Sequence, residues 1–417
     1  MKREDIEIMA PVGSYESLAA AIQAGANSVY FGIEQLNMRA KSSNNFTTED
    51  LQEIVRICNE NNIKSYLTVN TILYDHDLHL MRNIIDIAKK SNVSAIIASD
   101  QAAINYANSI GIEVHISTQV NVSNIETLKF YARYADVIVL ARELSLKQVK
   151  YITDKIKEEK ITGPSGELIK IEIFVHGALC MAISGKCYLS LHEQNSSANR
   201  GACLQTCRKE YIVTEKESGI DFEVDNEYIM SAKDLKTIDF LDKVLETGVS
   251  VLKVEGRGRP PEYVFKVVSA YDEAINSVID GSFGAEKIEK WNEKLSEVFN
   301  RGFWGGYLFG RELGEWSEVY GSKATKVKSY IGKGTNYFKN IGVAEFLVES
   351  GSISNGDEIL ISGPSTGVIE MIIENIHVNE KPVNKAIKGE YMSVKIDSVI
   401  RRSDKLYKVE KTEFSKK

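Results

Sequence analysis

The sequence predicts an α/β protein: a closed (β/α)8 barrel carrying a cysteine-bearing insert, followed by a small all-β barrel. Three observations lead there. Over the first two-thirds of the 417 residues, short apolar β-branched runs alternate with segments of helical period, and the runs number eight. The seventh and eighth runs are separated by about fifty residues more than an ordinary crossover needs. Beyond residue 321 the helical period gives way to short strands punctuated by glycine turns.

The eight strand candidates are 6–10, 28–33, 64–70, 95–99, 113–118, 136–141, 170–175 and 250–254. The first helix, 14–24, sets Leu18, Ala19 and Ile22 on one face, and others start at Thr48, Asp77, Gln101, Ile125, Leu146, Ala232 and Pro261. Eight parallel strands with crossover helices close into a barrel more naturally than they lie as an open doubly wound sheet. Val120 and Val122 around Asn121 suggest that the fifth strand overruns its barrel portion. Cys58 shares an amphipathic face with Leu51, Ile54 and Val55 and reads as a small core residue. A helix over 261–278 closes the barrel, and another over 285–299 leads into a glycine-aromatic turn at 301–307. The barrel domain is therefore expected over 1–321, with its insert at 177–230, and the second domain over 322–417. Strands in the latter fall at 342–348, 356–362, 368–373, 391–396 and 405–409, and Lys405, Lys408, Lys411, Lys416 and Lys417 read as a frayed, solvated tail.

Catalytic groups of such barrels sit at the C-terminal strand ends. Here those ends carry Asn70, Asp100, Gln119, Arg142, Glu143, His176, Glu255 and Arg257, with Arg39 following the second strand. The insert leaves from a C-terminal strand end and should fold over that face. It begins with the cysteine loop and continues into a hairpin, 211–214 and 222–224, turned near Ser218 and Gly219. Four of the five cysteines, Cys180, Cys187, Cys203 and Cys207, lie in the loop as C-x6-C-x15-C-x3-C. Disulfides fit poorly, because the start of the chain does not read as a secretory signal. The opening pair is wide for a zinc knuckle, and a cubane iron-sulfur cluster tolerates irregular spacing better; both remain open on spacing, as do unliganded thiols.

These residues also carry a family resemblance. His176-Gly-Ala-Leu-Cys180 through Ser184-Gly-x-Cys187-x-x-Ser190 resembles the signature of peptidase family U32. So do Arg200-Gly-x-Cys203-x-x-x-Cys207-Arg208, Ser231-Ala-Lys-Asp-Leu235, Lys253-Val-Glu-Gly-Arg257 and Phe299-Asn-Arg-Gly-Phe303. The resemblance spans nearly the whole chain and implies one of two activities. Some members are called collagenase-like proteases; others hydroxylate RNA or quinones and hold four-cysteine [4Fe-4S] clusters. Length and C-terminal extension are most similar to members that hydroxylate wobble uridine of tRNA using prephenate. On that footing Cys180, Cys187, Cys203 and Cys207 would hold the cluster, with zinc the alternative. Arg142, Arg257 and Arg39 would grip a small dicarboxylate through guanidinium forks. His176, Glu255 and Gln119 would serve the chemistry, His176 as the proton carrier. A paralogous family member is a possible partner, and the C-terminal domain is similar to a translation-factor β-barrel.

Composition limits the alternatives. A net charge of −7 argues against general nucleic-acid affinity but leaves room for a local basic surface. No apolar run is long enough to span a bilayer, so the expectation is a cytoplasmic protein with reduced thiols and no membrane partner. Against the peptidase reading, no Ser-His-Asp order or zinc dyad is recognisable. Gly363-Pro-Ser-Thr-Gly367 matches the hydrolase elbow but joins two strands, which makes it a hairpin turn. Asp75-His76-Asp77-Leu78-His79 opens a helix, where Asp caps exposed N–H groups. A noncatalytic binding module with a structural four-cysteine site is the third reading; the many polar strand ends count against it.

Overall fold

A computed structural model describes residues 1–40, 45–209, 230–310, 314–317 and 321–412. The first strands and helices follow the alternation: β1 (Glu7–Pro11), α1 (Tyr15–Gln23), β2 (Ser28–Phe31), α2 (Thr48–Glu60), β3 (Lys64–Val69), α3 (Leu78–Lys90), β4 (Ala95–Ala98) and α4 (Gln101–Ser109). Then come β5 (Val114–Ile116), α5 (Ile125–Tyr131), β6 (Val137–Val139), α6 (Leu146–Glu158) and β7 (Lys170–Gly177). Local chemistry sets the helix starts. Ser14 Oγ accepts from Ser17 N, and Thr47 with Asp50 and Ser145 with Gln148 form reciprocal capping boxes.

Past the insert, which holds α7 (Leu189–Gln194), the chain forms β8 (Asp234–Lys236), α8 (Leu241–Glu246), β9 (Val251–Val254), α9 (Pro261–Ile279), α10 (Ala285–Ser296) and β10 (Phe303–Trp304). The eighth barrel strand is β9: it pairs in parallel with both β7 and β1 and so closes the barrel. The helix expected at Ala232 is instead strand β8. It runs antiparallel to β7 at His176 and Gly177 and parallel to β10, with Asp234 paired to Arg301, and the helix begins only at Leu241. The fifth strand does not run on unbroken, though Val122 beyond it pairs again in parallel with Leu140. It ends at Ile116, a 3-10 turn follows at Thr118–Val120, and Asn121 takes a left-handed conformation (φ 59°).

The rest of the chain is antiparallel. Its long strand β11 (Lys326–Phe338) is followed by β12 (Val343–Val348), β13 (Ser352–Ser354), β14 (Glu358–Gly363), β15 (Gly367–Ile372), β16 (Ile376–Val378), β17 (Lys381–Val383), β18 (Lys385–Ile387), β19 (Tyr391–Lys395) and β20 (Lys405–Lys411). The main sheet has the order β15-β14-β20-β11-β12-β19-β16-β17, and β13 pairs with β18. Phe346, Ile353, Ile361, Met392 and Leu406 lie in a core separate from that of the barrel. Lys405, Lys408 and Lys411 are not tail residues: they belong to β20, where Lys408 pairs with Asp357 at 3.2 Å. Lys416, Lys417 and the expected hairpin at 211–224 lie outside the described residues.

The Gly-Pro-Ser-Thr-Gly stretch turns the β14–β15 hairpin onto the barrel. Gln23 of α1 donates to Val368 O (2.8 Å) and accepts from Val368 N (3.0 Å). A Cβ on Gly367 (φ +70°) would fall 2.6 Å from the Gln23 side-chain oxygen, so this glycine serves packing of the hairpin against helix α1. No helix among the described residues is long and apolar enough to cross a membrane.

Candidate functional site

At the C-terminal face of the barrel lies a cavity of about 190 Å³, roofed by the cysteine loop. Each predicted cation reaches it from a different strand end. Arg257, following β9, is buried; its guanidinium donates to Asn37 Oδ1 (3.1 Å) and Thr68 Oγ1 (3.0 Å). Gly32 leaves the room for it, because a Cβ there would lie 2.5 Å from Arg257 Nη1. Burial pulls the Arg257 pKa down to about 10. Arg142, following β6, stacks on the Phe174 ring at 3.7 Å and donates to Ala178 O at 3.0 Å. Its Nε is buried without a hydrogen-bond partner, and burial lowers its pKa.

Arg39 reaches in from the loop after β2 and pairs with Glu255 at 2.8 Å. The second Glu255 oxygen accepts from Tyr30 OH at 3.2 Å. Burial alone would raise the Glu255 pKa, but Arg39, Arg142 and Arg257 outweigh it and bring the value down to about 2. The carboxylate therefore stays ionised and offsets the mutual repulsion of the guanidinium groups. Since its folded pKa is depressed from 4.5, its contribution to stability is present above that value and is lost as pH falls towards about 2. Glu255→Gln should cost roughly 3 kcal/mol at pH 7 by that shift. Urea midpoints of wild type and variant should converge between pH 4.5 and about 2; a gap that persists at the acid end would contradict this.

Gln119 lines the cavity from the turn after β5, where its side-chain oxygen accepts from Ser117 Oγ at 2.5 Å. His176 does not join this group. The pairing of β7 with β9 slips by a residue between Phe174 and His176, and the imidazole packs instead against Tyr263, Tyr271 and Phe303. It is 1% exposed, and burial, with Lys236 and Arg259 nearby, lowers its pKa to about 3. So placed, it is neutral at physiological pH and away from the cavity lining, unlike the proton carrier expected from its position. Gly177 beside it has φ +103°, and a Cβ there would lie 2.3 Å from Glu255 O, so the strand end is locked against β9.

All four loop cysteines line the cavity, and Cys58 is buried in α2, far from it in the fold. Arg208 holds the loop together: it donates to Leu179 O (2.7 Å), Ala232 O (2.7 Å) and Ser231 Oγ (3.0 Å). Arg200 ties the loop to the segment after β3, pairing with Asp77 at 2.5 Å and stacking on Tyr74. Asp77 is thereby committed to an ion pair and to capping Tyr74 N (2.7 Å). Burial raises the Cys207 pKa to about 11 and also raises that of Cys187. Arginines stand opposite the thiols: Arg39 interacts with Cys203, Arg142 with Cys180, and Arg208 with Cys207. Among the described residues no three or more His, Cys, Asp or Glu side chains form a ready-made metal site.

Sequence reasoning missed Tyr30, Thr68 and Lys253 in the lining. The signal was present in two of them. Thr68 and Lys253 interrupt otherwise apolar strands, at positions that only a closed barrel turns inward.

Three relatives are informative. A protein named collagenase from Porphyromonas gingivalis is 58% identical over 413 residues, covering 99% of this chain and all of that one. The tRNA hydroxylation protein P1 of Bacillus subtilis is 30% identical over 378 residues, covering 89% of this chain and 86% of that one. The 23S rRNA 5-hydroxycytidine C2501 synthase of Escherichia coli is 31% identical over 277 residues, 66% of this chain and 40% of that one. The model of peptidase family U32 matches residues 13–318, a span that contains every residue lining the cavity, and the chain belongs to that family.

Proposed function

We propose that this enzyme hydroxylates a pyrimidine of RNA, namely the wobble uridine of tRNA, with prephenate as co-substrate and a [4Fe-4S] cluster on Cys180, Cys187, Cys203 and Cys207. One observation carries the reading: a cavity roofed by four thiols and lined by Arg39, Arg142, Arg208, Lys253 and Arg257, with Glu255 the one carboxylate in its lining among the described residues. Such a lining suits a small dianion better than a peptide. The donor set fits the cluster, because four thiolates are anionic and Arg39, Arg142 and Arg208 face them. When bound, a fully thiolate-held cluster supplies electron transfer.

The chain's own groups do the binding. Arg142 has an unmatched Nε donor at the cavity wall, and Arg257 is fixed by Asn37 and Thr68 to present its remaining edge. Glu255 anchors Arg39 through their ion pair at 2.8 Å, and the Gln119 side chain lines the cavity, where its amide would meet a base edge. The cavity admits one ring or a small acid, so an RNA substrate has to offer a base turned out of its stack. Such an enzyme works in the cytoplasm, where thiols stay reduced.

The collagenase name of the 58% identical relative favours a second reading, peptide hydrolysis. The placement of His176 counts against a Cys180–His176 pair, since the ring packs among aromatics outside the cavity lining. Mass spectrometry of tRNA decides between the two. In a strain lacking this gene and any paralogue, the 5-hydroxyuridine-derived nucleosides should disappear and return with the wild-type gene. Unchanged tRNA in that strain, together with gelatin cleavage by the purified protein, would establish the peptidase instead.

A further inference from the structure

We propose that a file of ionisable side chains through the barrel interior, Glu113–His115–Glu172–Lys253, carries protons between solvent at the N-terminal face of the strands and the cavity at the other. The file can be followed atom by atom. Lys253 Nζ, in the cavity lining, donates to Glu172 Oε1 at 2.6 Å. The other oxygen, Glu172 Oε2, lies 3.9 Å from His115 Nδ1. His115 Nε2 lies 3.2 Å from Glu113 Oε1. Glu172 and His115 are each 0% exposed, whereas the Glu113 side chain is 45% exposed. One end thus opens to bulk water and the other to the site.

Two features make a purely structural role a poor account. Glu172 Oε2 and His115 Nδ1 face each other, buried, and neither has a hydrogen-bond partner. Buried polar atoms left unmatched cost free energy, and apolar side chains fill the same interior without that cost: Met9, Ile97, Val137 and Val251 do so around this file. The gap between the two atoms is one that a small side-chain shift or a single bridging water closes. Other ionisable groups around the imidazole are Tyr66, whose ring lies 4.5 Å from it and whose hydroxyl donates to Glu7, and Lys64, paired with Glu7 at 2.9 Å. Lys170 lies near Glu113, and at the cavity end the Lys253 ammonium sits 4.6 Å from the centre of the Tyr30 ring.

Transfer balances without any redox step. For each proton that Lys253 releases into the cavity, Glu172 first takes one from His115 Nδ1 on Oε2, turns its carboxyl group, and then passes that proton to the Lys253 amine. Nε2 takes one from water by way of Glu113, and exchange of the imidazole tautomer resets the file.

The test is the solvent-exchange rate of the His115 ring N–H, measured by NMR on protein with 15N-labelled histidine and assigned by its loss in His115→Gln. Glu172→Gln disrupts a buried pair and can unfold the barrel, so Glu113→Gln, at the half-exposed end, carries the measurement. Exchange should slow at least about ten-fold in Glu113→Gln; a ring N–H signal seen only in that variant gives the same answer. A wild-type ring N–H that exchanges as slowly as the neighbouring strand amides, and is indifferent to Glu113→Gln, overturns the proposal. A kinetic arm rests on the hydroxylation reading: Glu113→Gln lowers kcat with KM unchanged, and added imidazole restores it, which loss of packing would not allow. Absence of turnover in the wild type sinks that reading and leaves the exchange rate to decide the relay.

Discussion

Protein purified without oxygen is expected to be brown and to carry about four iron and four sulfide per chain, and Cys203→Ser or Cys207→Ser to abolish both. The two cysteines come from the last stretch of the cysteine loop, whose position depends on Arg208 and on the Leu204 N–Ser190 Oγ hydrogen bond (3.1 Å). Because binding a cluster would also contribute folding free energy to the loop that holds it, the variants should open the insert to proteolysis while the barrel stays folded. Cys58→Ser is the control with the opposite signature. Iron should be unchanged, but the thermal midpoint should fall, because a hydroxyl then sits 0% exposed in the packing of α2 at a cost of about 1–3 kcal/mol. Colourless protein with stoichiometric zinc would replace the iron-sulfur assignment with a zinc staple. Full iron in both insert variants would place the ligands elsewhere.

The barrel was legible because its signals are local. Capped starts at Ser14, Thr47 and Ser145 and buried β-branched runs fix the first seven strands and six helices with little help from distant contacts. Strand β8 was not legible: Asp-Leu-Lys is three residues of no strand character, and its partner β10 lies far along the chain. β11 was missed for a related reason, as its lysines and glycines weaken an alternation that only pairing with β12 and β20 completes.

The site divides in the same way. Arg142, Gln119, Glu255 and Arg257 come from the rule that site groups sit at strand ends, Arg39 from the segment that follows the second strand, and the structure brings all five to one cavity with the four cysteines. The rule failed at His176, where the slip in register after Phe174 turns the side chain away from the cavity, a change no spacing in the sequence announces. It was also blind to the interior. His115, Glu172 and Lys253 each look like a single polar interruption in an apolar run, and they become a connected file only when β9 pairs beside β7, with β5 two strands further round the closed barrel.

Arg142→Lys is expected to lower kcat/KM for tRNA hydroxylation by about 10- to 100-fold while leaving the fold and the iron content intact. The charge is conserved, so the loss measures geometry. Lysine cannot lie flat on Phe174 as the guanidinium does at 3.7 Å, and its N–H donors all sit on one nitrogen, so it cannot keep the Ala178 O contact while presenting a planar fork to a carboxylate. Losing one charge-assisted pair costs roughly 1.5–3 kcal/mol, and each 1.4 kcal/mol is about a factor of ten. Arg257→Lys should lose at least as much, because Asn37 Oδ1, which keeps the Arg39 N–H (3.0 Å), and Thr68 Oγ1 both lose the buried guanidinium donor and the cavity wall shifts as well. Arg56→Lys, on an exposed helix face beside Glu53 and Glu60, should behave as wild type. The readouts are kcat/KM on purified protein and the hydroxylated nucleosides of tRNA from complemented deletion strains. Substrate forks predict that the Arg142 defect deepens when prephenate is scarce and is partly overcome at saturation. A defect in Arg142→Lys that is independent of prephenate concentration would mean that this arginine orders the cysteine loop through Ala178 and does not hold the acid.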